Sequence, residues 1–315
     1  MDSYGLLQKF KLNRPLNNEE IAGKLDQNNR IDLENEELIP DIKVIAINSH
    51  YLEMVDKYYS SKGFVSLFSS LGTIAFLGGV IWIIIHFIFF SPLSKGIILY
   101  IITMGSLFLA MGLFMFSLLK TEWFAWTHYP LRFDRKNQMV YAFRTDGSII
   151  SVPWKKVFFT TGLDYAKSMK NDYYISGHVL ADDNKTIVDT FCLPASTGNF
   201  ELLKYHWEFI RRYMEEGPEN IIQQVEFCLP IANKKESYGF TFFYVSTLFK
   251  GMLKILMPLM SPIIFIISIP RYIAILTSRR PIWPEEVEEQ CKIDPNDPYI
   301  LNEKTNPKDL WKAFY

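Results

Sequence analysis

Hydrophobic and polar residues are distributed very unevenly along the chain. Residues Phe64 to Phe90 and Ile97 to Leu119 contain no formally charged side chain, and only the short segment Ser91 to Gly96 separates them. A helix needs about 20 apolar residues to cross the hydrocarbon core of a bilayer. Both runs exceed this length, so the pattern predicts a transmembrane helical hairpin over residues 63–120.

A third apolar region, Gly239 to Ser278, is broken by lysines and prolines. Its charge-free part, Ile255 to Pro270, is short for a membrane span. Basic residues flank both ends of the region, which favours placing both ends on the cytoplasmic side. Three alternatives remain for residues 232–280: a kinked re-entrant or interfacial segment, one full span, or a buried region of a soluble domain.

Short apolar runs alternate with polar turns in residues 121–231, and Asp146-Gly147 is a typical hairpin turn. The pattern predicts about six antiparallel strands. Apolar residues at spacings of three and four then predict an amphipathic helix over 200–214, with Asn199 as its N-cap and Gly217 as its stop. The predicted strands are 131–134, 139–143, 149–153, 157–160, 173–180 and 187–193.

These elements predict an α+β membrane protein in which a two-helix transmembrane hairpin is followed by a cytosolic antiparallel β domain, capped by one amphipathic helix. In the cytosolic N-terminal segment 1–62, residues 1–30 are polar and lack the apolar core of a cleavable signal peptide, so the first span is expected to act as the insertion signal. The tail 281–315 is polar and proline-containing. It predicts a short helix over Pro284–Cys291 and otherwise an extended or flexible arm.

Basic residues near the span ends predict the orientation of the hairpin. The turn contains only Lys95, whereas the flanks are richer in lysine and arginine. The positive-inside rule therefore places both flanks in the cytoplasm and the turn on the opposite side. The flanking basic residues are Lys43, Lys57, Lys62, Lys120, Arg132, Arg135 and Lys136.

Composition and motifs narrow the possible functions. The 33 basic and 34 acidic side chains give a net charge of −1, which does not support nucleic-acid binding. The 3 cysteines are far apart, which fits a reducing compartment better than a disulfide framework. The sequence has no glycine-rich phosphate loop, HExxH motif, nucleophile elbow or zinc-ligand spacing. We therefore expect a non-enzyme with no catalytic residue, metal or cofactor.

Two short motifs in the β region resemble bacterial membrane proteins that carry a pleckstrin-homology-like domain behind a two-span hairpin. They are Phe133-Asp134-Arg135 with Val140-Tyr141, and Val152-Pro153-Trp154-Lys155-Lys156-Val157. The resemblance implies that the sheet and the following helix form a pleckstrin-homology-like fold.

Three further motifs resemble an uncharacterised bacterial membrane-protein family, a domain of unknown function often encoded among type VI secretion effector and immunity genes. They lie in residues 47–63, at Thr190-Phe191-Cys192-Leu193-Pro194, and in the continuous stretch from Trp207 to Pro218. The resemblance implies a multi-pass protein of the bacterial inner membrane that takes part in interbacterial competition. It supplies no catalytic residues.

Two groups of charged residues are candidate binding sites. Arg211, Arg212, Glu215 and Glu216 form i,i+4 pairs on the polar face of the predicted helix, where they are either solvated or contact a protein partner. Lys155, Lys156, Arg279 and Arg280 are candidate contacts with the membrane surface, or ordinary solvated residues.

Three functions are compatible with these features. The first is an inner-membrane immunity protein that neutralises a cognate toxin by binding it. The second is a membrane-active secreted effector, or its accessory. The third is a lipid-sensing membrane scaffold. The predicted topology and the absence of a recognisable delivery segment favour the first, with the lipid bilayer and a toxin protein as partners and no nucleic acid.

Overall fold

The chain forms two compact units that alternate along the sequence. The computed structural model describes residues 10–34, 38–40, 42–90, 94–164, 172–247 and 257–307. Residues 1–60, 128–235 and 280–315 belong to the first unit, which we call the β unit. Residues 61–127 and 236–279 belong to the second, the helical unit. The helical unit is therefore formed by two insertions into the sequence of the β unit.

Two five-stranded antiparallel sheets make up the β unit. One sheet has the order β1-β10-β9-β8-β2, and the other has the order β3-β4-β5-β6-β7. The strands are β1 Arg14–Pro15, β2 Lys24–Leu25, β3 Val44–Ile47, β4 Tyr51–Met54, β5 Leu131–Asp134, β6 Met139–Phe143, β7 Ile149–Pro153, β8 Val157–Asp164, β9 Asp172–Leu180 and β10 Thr186–Thr197. The helices are α1 Asn18–Ala22, α4 Phe200–Glu216 and α7 Glu285–Gln290, with short 3-10 turns at Tyr59–Ser61, Trp154–Lys156 and Ile222–Gln224.

Aromatic side chains fill the core of the β unit. Trp154, between β7 and β8, stacks on Trp207 of α4 with ring centroids 5.8 Å apart. Phe159 of β8 packs against both indoles, at 4.8 Å and 4.9 Å. Full burial of large aromatic rings is among the strongest contributions to a core. Helix α4 therefore packs on the sheet through the apolar stripe that its sequence predicts.

Most predicted elements of the β unit are confirmed. Strands β5, β6 and β7 have the predicted bounds, whereas β8, β9 and β10 are longer. Helix α4 begins after Asn199, whose side chain accepts a hydrogen bond from Glu201 N, and ends at Gly217. Gly217 has φ +96°, a conformation that favours glycine.

The N-terminal segment differs most from expectation. It does not stand apart as residues 1–62, because it supplies β1 and β2 to one sheet and β3 and β4 to the other. The helical hairpin is inserted between β4 and β5, which pair directly as sheet neighbours, so it does not precede a complete β domain. The strands were missed because β1 and β2 contain 2 residues each and β3 and β4 contain 4.

The helical unit contains α2 Phe64–Phe90, α3 Lys95–Leu119, α5 Tyr238–Thr247 and α6 Met257–Thr277. The predicted first helix is confirmed at both ends, and the second begins two positions earlier than expected. Among the described residues, three helical segments are long and apolar enough to cross a membrane: Tyr59–Phe89, Lys95–Leu119 and Leu259–Thr277. Most of the predicted turn, Ser91–Leu93, lies outside the described residues.

Small residues bring α2 and α3 close together. A Cβ atom at Gly79 would lie 2.6 Å from Cδ2 of Phe108, and one at Gly112 would lie 2.5 Å from Cδ2 of Leu77. Neither position leaves room for a larger side chain. This is the close helix packing that small residues permit in membrane proteins.

The third apolar region forms two helices, α5 and α6, and residues 248–256 between them lie outside the described part. Helix α6 is 21 residues long and contains Pro262 and Pro270. At about 1.5 Å per residue it is long enough for a span. The single-span alternative thus has a helix of sufficient length. The positions of the ends of α5 and α6 distinguish a single span from a re-entrant segment.

The C-terminal segment 281–307, here called the strap, is docked on the β unit. The predicted short helix is confirmed as α7. The guanidinium carbon of Arg132 lies 4.4 Å from the ring centroid of Tyr51 and 5.0 Å from that of Trp283. Leu301 exchanges backbone hydrogen bonds with Ile47, at 2.8 Å and 3.0 Å. These contacts correct the expectation of a flexible arm for residues 281–307, because burial and backbone pairing hold the strap in place.

Candidate functional site

Helix α4 carries the first group of predicted site residues, and its two arginines are buried. Arg211 and Arg212 are 2% and 5% exposed. Both donate to Glu208, one turn earlier: Arg211 through Nε and Nη2, at 2.8 Å and 2.9 Å, and Arg212 through Nε, at 3.2 Å. Ile31 N also donates to Glu208 Oε1, at 3.0 Å. One buried carboxylate therefore serves two guanidinium groups and a backbone amide.

The predicted i,i+4 pairs of α4 are wrong. Arg211 pairs with Glu208 and, at 2.7 Å, with Glu216. Burial opposes the charge of Arg211, but the hydrogen bonds that it donates to these two carboxylates raise its pKa. The physical reason is long-range: the backbone at Ile31 contacts this side of α4, where the local pattern predicted solvent.

The remaining acidic residues of the group are exposed. Glu215 Oε1 accepts from Trp154 Nε1 and from Lys155 Nζ, each at 2.6 Å. Two predicted sites are thus brought together, because Lys155 belonged to the candidate membrane-surface group. Lys155 Nζ also donates to Asn28 Oδ1 at 2.9 Å. The partner contact expected at Glu215 and Glu216 stays a prediction.

The other candidate membrane-surface residues are divided between the two units. Lys156 is exposed, as is Arg279, whereas Arg280 is half-buried. Arg279 belongs to the helical unit, and its backbone N donates to Ala125 O at 2.7 Å while its O accepts from Thr127 N at 2.7 Å. Arg280 belongs to the β unit. A membrane-surface role for these residues stays a prediction.

A buried polar cluster in the helical unit was missed by the sequence analysis. Glu122, just after α3, is 7% exposed. Its Oε2 accepts from Gly63 N at 3.0 Å, Ser66 N at 2.9 Å and Ser66 Oγ at 2.5 Å. These donors lie at the start of α2, so Glu122 caps that helix from the far end of the hairpin. A carboxylate at a helix N-terminus is favourable because it pairs with unsatisfied N–H groups and the helix dipole.

Arg271 extends this cluster to the second apolar region. Its Nη2 donates to Glu236 Oε1 at 2.7 Å, and both side chains are 1% exposed. Arg271 Nη1 also donates to Lys62 O at 3.2 Å. Glu236 Oε2 accepts from Thr241 Oγ1 at 3.0 Å. The ion pair joins the start of α5, the last turns of α6 and the start of α2.

Further hydrogen bonds complete what we call the base cluster: Lys62, Gly63, Ser66, Glu122, Glu236, Thr241, Arg271 and Ser278. Ser278 Oγ donates to Glu122 O at 2.9 Å, and Lys62 Nζ donates to Trp126 O at 2.8 Å. All four chain ends of the helical unit meet here. The pairs α2–α3 and α5–α6 therefore both begin and end at the same end of this unit.

Sequence signals for the base cluster existed but were ambiguous. Arg271 lies inside the apolar region, where a charged side chain is a candidate for function or pairing. Its position directly after Pro270, where the charge-free run Ile255 to Pro270 ends, is equally typical of a basic residue that flanks an apolar segment. The glycine at position 63, directly before the first apolar run, was a second signal. The structure explains why it is a glycine: Gly63 has φ +97°, and a Cβ there would lie 2.5 Å from Cβ of Arg271.

One acid–base arrangement in the β unit resembles a catalytic relay. His178 Nδ1 lies 2.8 Å from Thr190 Oγ1, and His178 Nε2 lies 3.6 Å from Glu20 Oε1. Arg14 holds the same carboxylate with two hydrogen bonds. Burial lowers the pKa of His178 to about 4, against an opposing effect of Glu20. Thr190 and His178 are both buried cross-strand partners, so the arrangement stabilises the sheet and offers no substrate access.

Metal binding has no candidate in the described ranges, where no group of at least 3 His, Cys, Asp or Glu side chains could hold an ion. The expectations of no catalytic residue and no cofactor stay predictions.

Comparison with known proteins gives a family without an assigned activity. No curated protein and no solved structure matches the sequence. Residues 106–295 match a family described as a family of unknown function, DUF6708. The match includes α4, the base-cluster residues Glu122, Glu236 and Arg271, and all strands from β5 to β10. On this match, the chain belongs to the DUF6708 family.

Proposed function

We propose that the protein is a multi-pass protein of the bacterial inner membrane whose β unit is cytoplasmic, and that it protects its host by binding a cognate toxin linked to type VI secretion. The base cluster is the observation that supports a membrane anchor. It joins all four chain ends of the helical unit, so every connection to the β unit leaves from one end. An apolar unit built in this way fits an anchor that enters the bilayer from one side.

The orientation follows from the basic residues. The hairpin turn has only Lys95, whereas lysines and arginines follow and precede the two spans. The positive-inside rule then places the connected ends, and with them the β unit, in the cytoplasm. The start of α5 and the end of α6 both lie at the base cluster. This region is therefore proposed to enter and leave the membrane on the cytoplasmic side, as a second hairpin or re-entrant pair.

The order of elements in the β unit supports a pleckstrin-homology-like fold as part of the proposal. Strands β4 to β7 form consecutive neighbours of one sheet, β8 to β10 form consecutive neighbours of the other, and α4 follows. These seven strands, followed by a C-terminal helix, support the plan of a sheet closed by one helix that the sequence motifs imply. In this chain the helical hairpin interrupts it after the first strand.

Binding as the mode of action is supported by the resemblance to families encoded beside type VI effectors and by the surface of the β unit. Glu215 and Glu216 remain accessible at the end of α4. Rim charges of this kind chiefly affect the rate and specificity of association. A toxin with a basic surface is therefore the partner that this end of α4 would favour.

Topology can be tested with single introduced cysteines, because the native Cys192, Cys228 and Cys291 are all buried. A membrane-impermeant maleimide should label Lys95→Cys once the outer membrane is made permeable. It should label Lys156→Cys and Lys185→Cys only after the inner membrane is disrupted. Labelling of Lys156→Cys in intact spheroplasts would contradict the proposed orientation.

Protection can be tested by co-expressing the chain with toxins encoded by neighbouring genes. We expect growth to be restored with one of them and no growth defect from the chain alone. Glu216→Arg should weaken rescue without lowering protein level, and Glu201→Arg, at the opposite end of α4, is the matched control. Growth arrest or depolarisation by the chain alone would favour a membrane-active effector instead.

A further inference from the structure

The β unit contains a cleft between two of its strand ends and the strap. Its volume is about 870 Å³, and three segments enclose it: Ser49–His50 before β4, Arg135–Lys136 after β5, and Lys292–Pro298 of the strap. Small-molecule sites in proteins typically measure about 300–1,000 Å³. The cleft is therefore large enough for a metabolite or a headgroup.

Three cations line the cleft, namely Arg135, Lys136 and Lys292. Within the described residues none of them forms an ion pair, although two aspartates line the same cleft. Those carboxylates have other partners. Asp297 accepts from Ser49 N and Oγ, each at 2.7 Å, and from Tyr299 N at 2.9 Å, while Asp294 accepts from Asn296 N at 2.9 Å.

Many cations elsewhere in the β unit have carboxylate partners, although exposed ones such as Lys156 and Lys185 have none in the described part of the chain. Arg14, Arg132, Arg144, Lys155, Lys204, Arg211, Arg212 and Lys234 are all ion-paired. Three cations around one concavity repel one another, and the two aspartates of the lining offset this repulsion only in part, so a bound anion would stabilise the cleft. Such an arrangement is typical of a binding site rather than of a surface arranged for stability.

The two terminal nitrogens of Arg135 are available to bind a ligand. Its Nε donates to Ser49 O at 3.1 Å, which fixes the guanidinium plane. Neither Nη1 nor Nη2 has a hydrogen-bond partner in the described part of the chain. Gly217 leaves space beside them, since a Cβ at this position would lie 3.5 Å from Nη1. A planar fork held in this way is suited to two parallel hydrogen bonds to an oxyanion.

His50 also lines the cleft, and the charges of the cleft change its pKa. Its Nδ1 is shielded from solvent and has no hydrogen-bond partner among the described residues. Burial lowers the pKa of His50, and Lys136 and Arg135 lower it further, against opposing effects of Asp134 and Asp297. A bound anion would reverse the effect of the two cations.

We propose that this cleft binds a phosphate-bearing ligand through Arg135, Lys136 and Lys292. Arginine supplies bidentate contacts to phosphate oxygens, and the two lysines supply mobile charges on the other sides. The phosphate can belong to a soluble metabolite or to a lipid headgroup, and both sources present the same oxygens. The inference does not depend on the proposed immunity function.

Calorimetric titration of the full chain tests the proposal, with the protein in nanodiscs of zwitterionic lipid. Pyrophosphate is the soluble probe, and vesicles containing phosphatidate are the lipid probe. Saturable binding of either probe is expected, and the probe that binds identifies the source. Arg135→Gln and the double variant Lys136→Gln/Lys292→Gln should each weaken binding by about tenfold or more. Lys185→Gln, in an exposed turn outside the cleft, should leave it unchanged.

The ionisation of His50 gives a second readout that does not need a tight ligand. In NMR spectra of the full chain, the probe should raise the pKa of His50 in the wild type and not in Arg135→Gln. Arg135→Lys should restore part of the shift, because it returns the charge without the fork. Absence of binding by both probes at millimolar concentration would overturn the proposal, as would equal affinity in the wild type and the cleft variants.

Discussion

The two units each contain a buried ion cluster, and the clusters differ in how many partners each charge has. In the β unit, Glu208 serves Arg211, Arg212 and Ile31 N, and Arg211 has a second carboxylate in Glu216. In the helical unit, Glu236 pairs with one cation among the described residues, Arg271. The first cluster is redundant and partly open at Glu216, whereas the second is closed.

The difference shows where each unit is sensitive to a single change. Removing one partner of a buried ion pair leaves an uncompensated charge, and the cost is far larger than the net stabilisation by the intact pair. In the β unit this cost is reduced, because Arg211 keeps a hydrogen bond to Glu216 when Glu208 is lost. Glu236 has no second cation among the described residues, and its pair with Arg271 joins segments distant in sequence, so loss of the pair should affect the whole helical unit.

The largest effect is expected from Arg271→Ala. Glu236 would keep only the hydrogen bond from Thr241 among the contacts described here. We expect a loss of about 3–5 kcal/mol in the free energy of unfolding. The measurement is unfolding of the full chain in mixed detergent micelles, followed by helical circular dichroism.

Two variants make this result specific to the pair. Arg279→Ala removes an exposed arginine of the same unit and should cost little. The double change Arg271→Met/Glu236→Leu removes both charges and should recover most of the stability, since apolar replacements of a buried pair are often neutral. A loss below about 1 kcal/mol for Arg271→Ala would show that the pair is hydrated and not buried.

Glu208→Ala should have a smaller effect, in spite of removing more hydrogen bonds. Arg211 keeps Glu216 as a partner, so we expect a loss of about 3 kcal/mol at most. Thermal unfolding of the β unit, followed by near-ultraviolet circular dichroism of its buried tryptophans, measures it. Glu216→Ala is the control and should cost less than about 1 kcal/mol, because this carboxylate is 34% exposed. A larger loss for Glu208→Ala than for Arg271→Ala would reverse the comparison.

Local sequence signals were sufficient for elements with strong periodicity. The charge-free runs gave α2 with both bounds, and the apolar stripe gave α4 with its cap at Asn199. Strands β5 to β7 followed from alternation and from Asp146-Gly147. Each of these signals lies within the element that it predicts.

Neither ion cluster could be predicted in this way, because the partners are far apart in sequence. Glu208 meets Ile31, and Glu122 meets Ser66, only after the chain has folded. The same holds for β3 and β4, whose pairing with β5 spans the whole hairpin. Local patterns show which residues are polar, but tertiary contacts decide whether those residues are solvated or buried, as Arg211 demonstrates.

Acidification should distinguish the two units, because His178 lies in the β unit. Its pKa falls from 6.5 to about 4 on folding, chiefly through burial. Below pH 6.5 the unfolded chain therefore binds a proton that the folded chain resists, so stability decreases as the pH falls toward 4. At pH 5 the expected loss is about 2 kcal/mol.

The measurement is the unfolding free energy of the β unit at pH 7.5, 6 and 5. His50, whose pKa is also lowered by burial, adds to the slope in the same direction. His178→Gln separates the two contributions, because it should flatten most of the dependence while leaving that of His50. An unchanged slope in His178→Gln would show that another group controls the acid sensitivity.

The smallest effects are expected outside the buried cluster, at the exposed C-terminal end of α4, where Lys155 and Trp154 both donate to Glu215. The Lys155 side chain is 45% exposed, and surface ion pairs contribute about 0–1 kcal/mol. Lys155→Ala should therefore be close to neutral in thermal unfolding. Glu215→Ala removes the same ion pair and also leaves the Nε1 of Trp154, a fully buried residue, without its acceptor at 2.6 Å. An unpaired buried donor costs about 1–3 kcal/mol, so Glu215→Ala should be clearly the more destabilising of the two. Equal effects of the two changes would mean that water replaces the carboxylate as the hydrogen-bond acceptor of Trp154 Nε1.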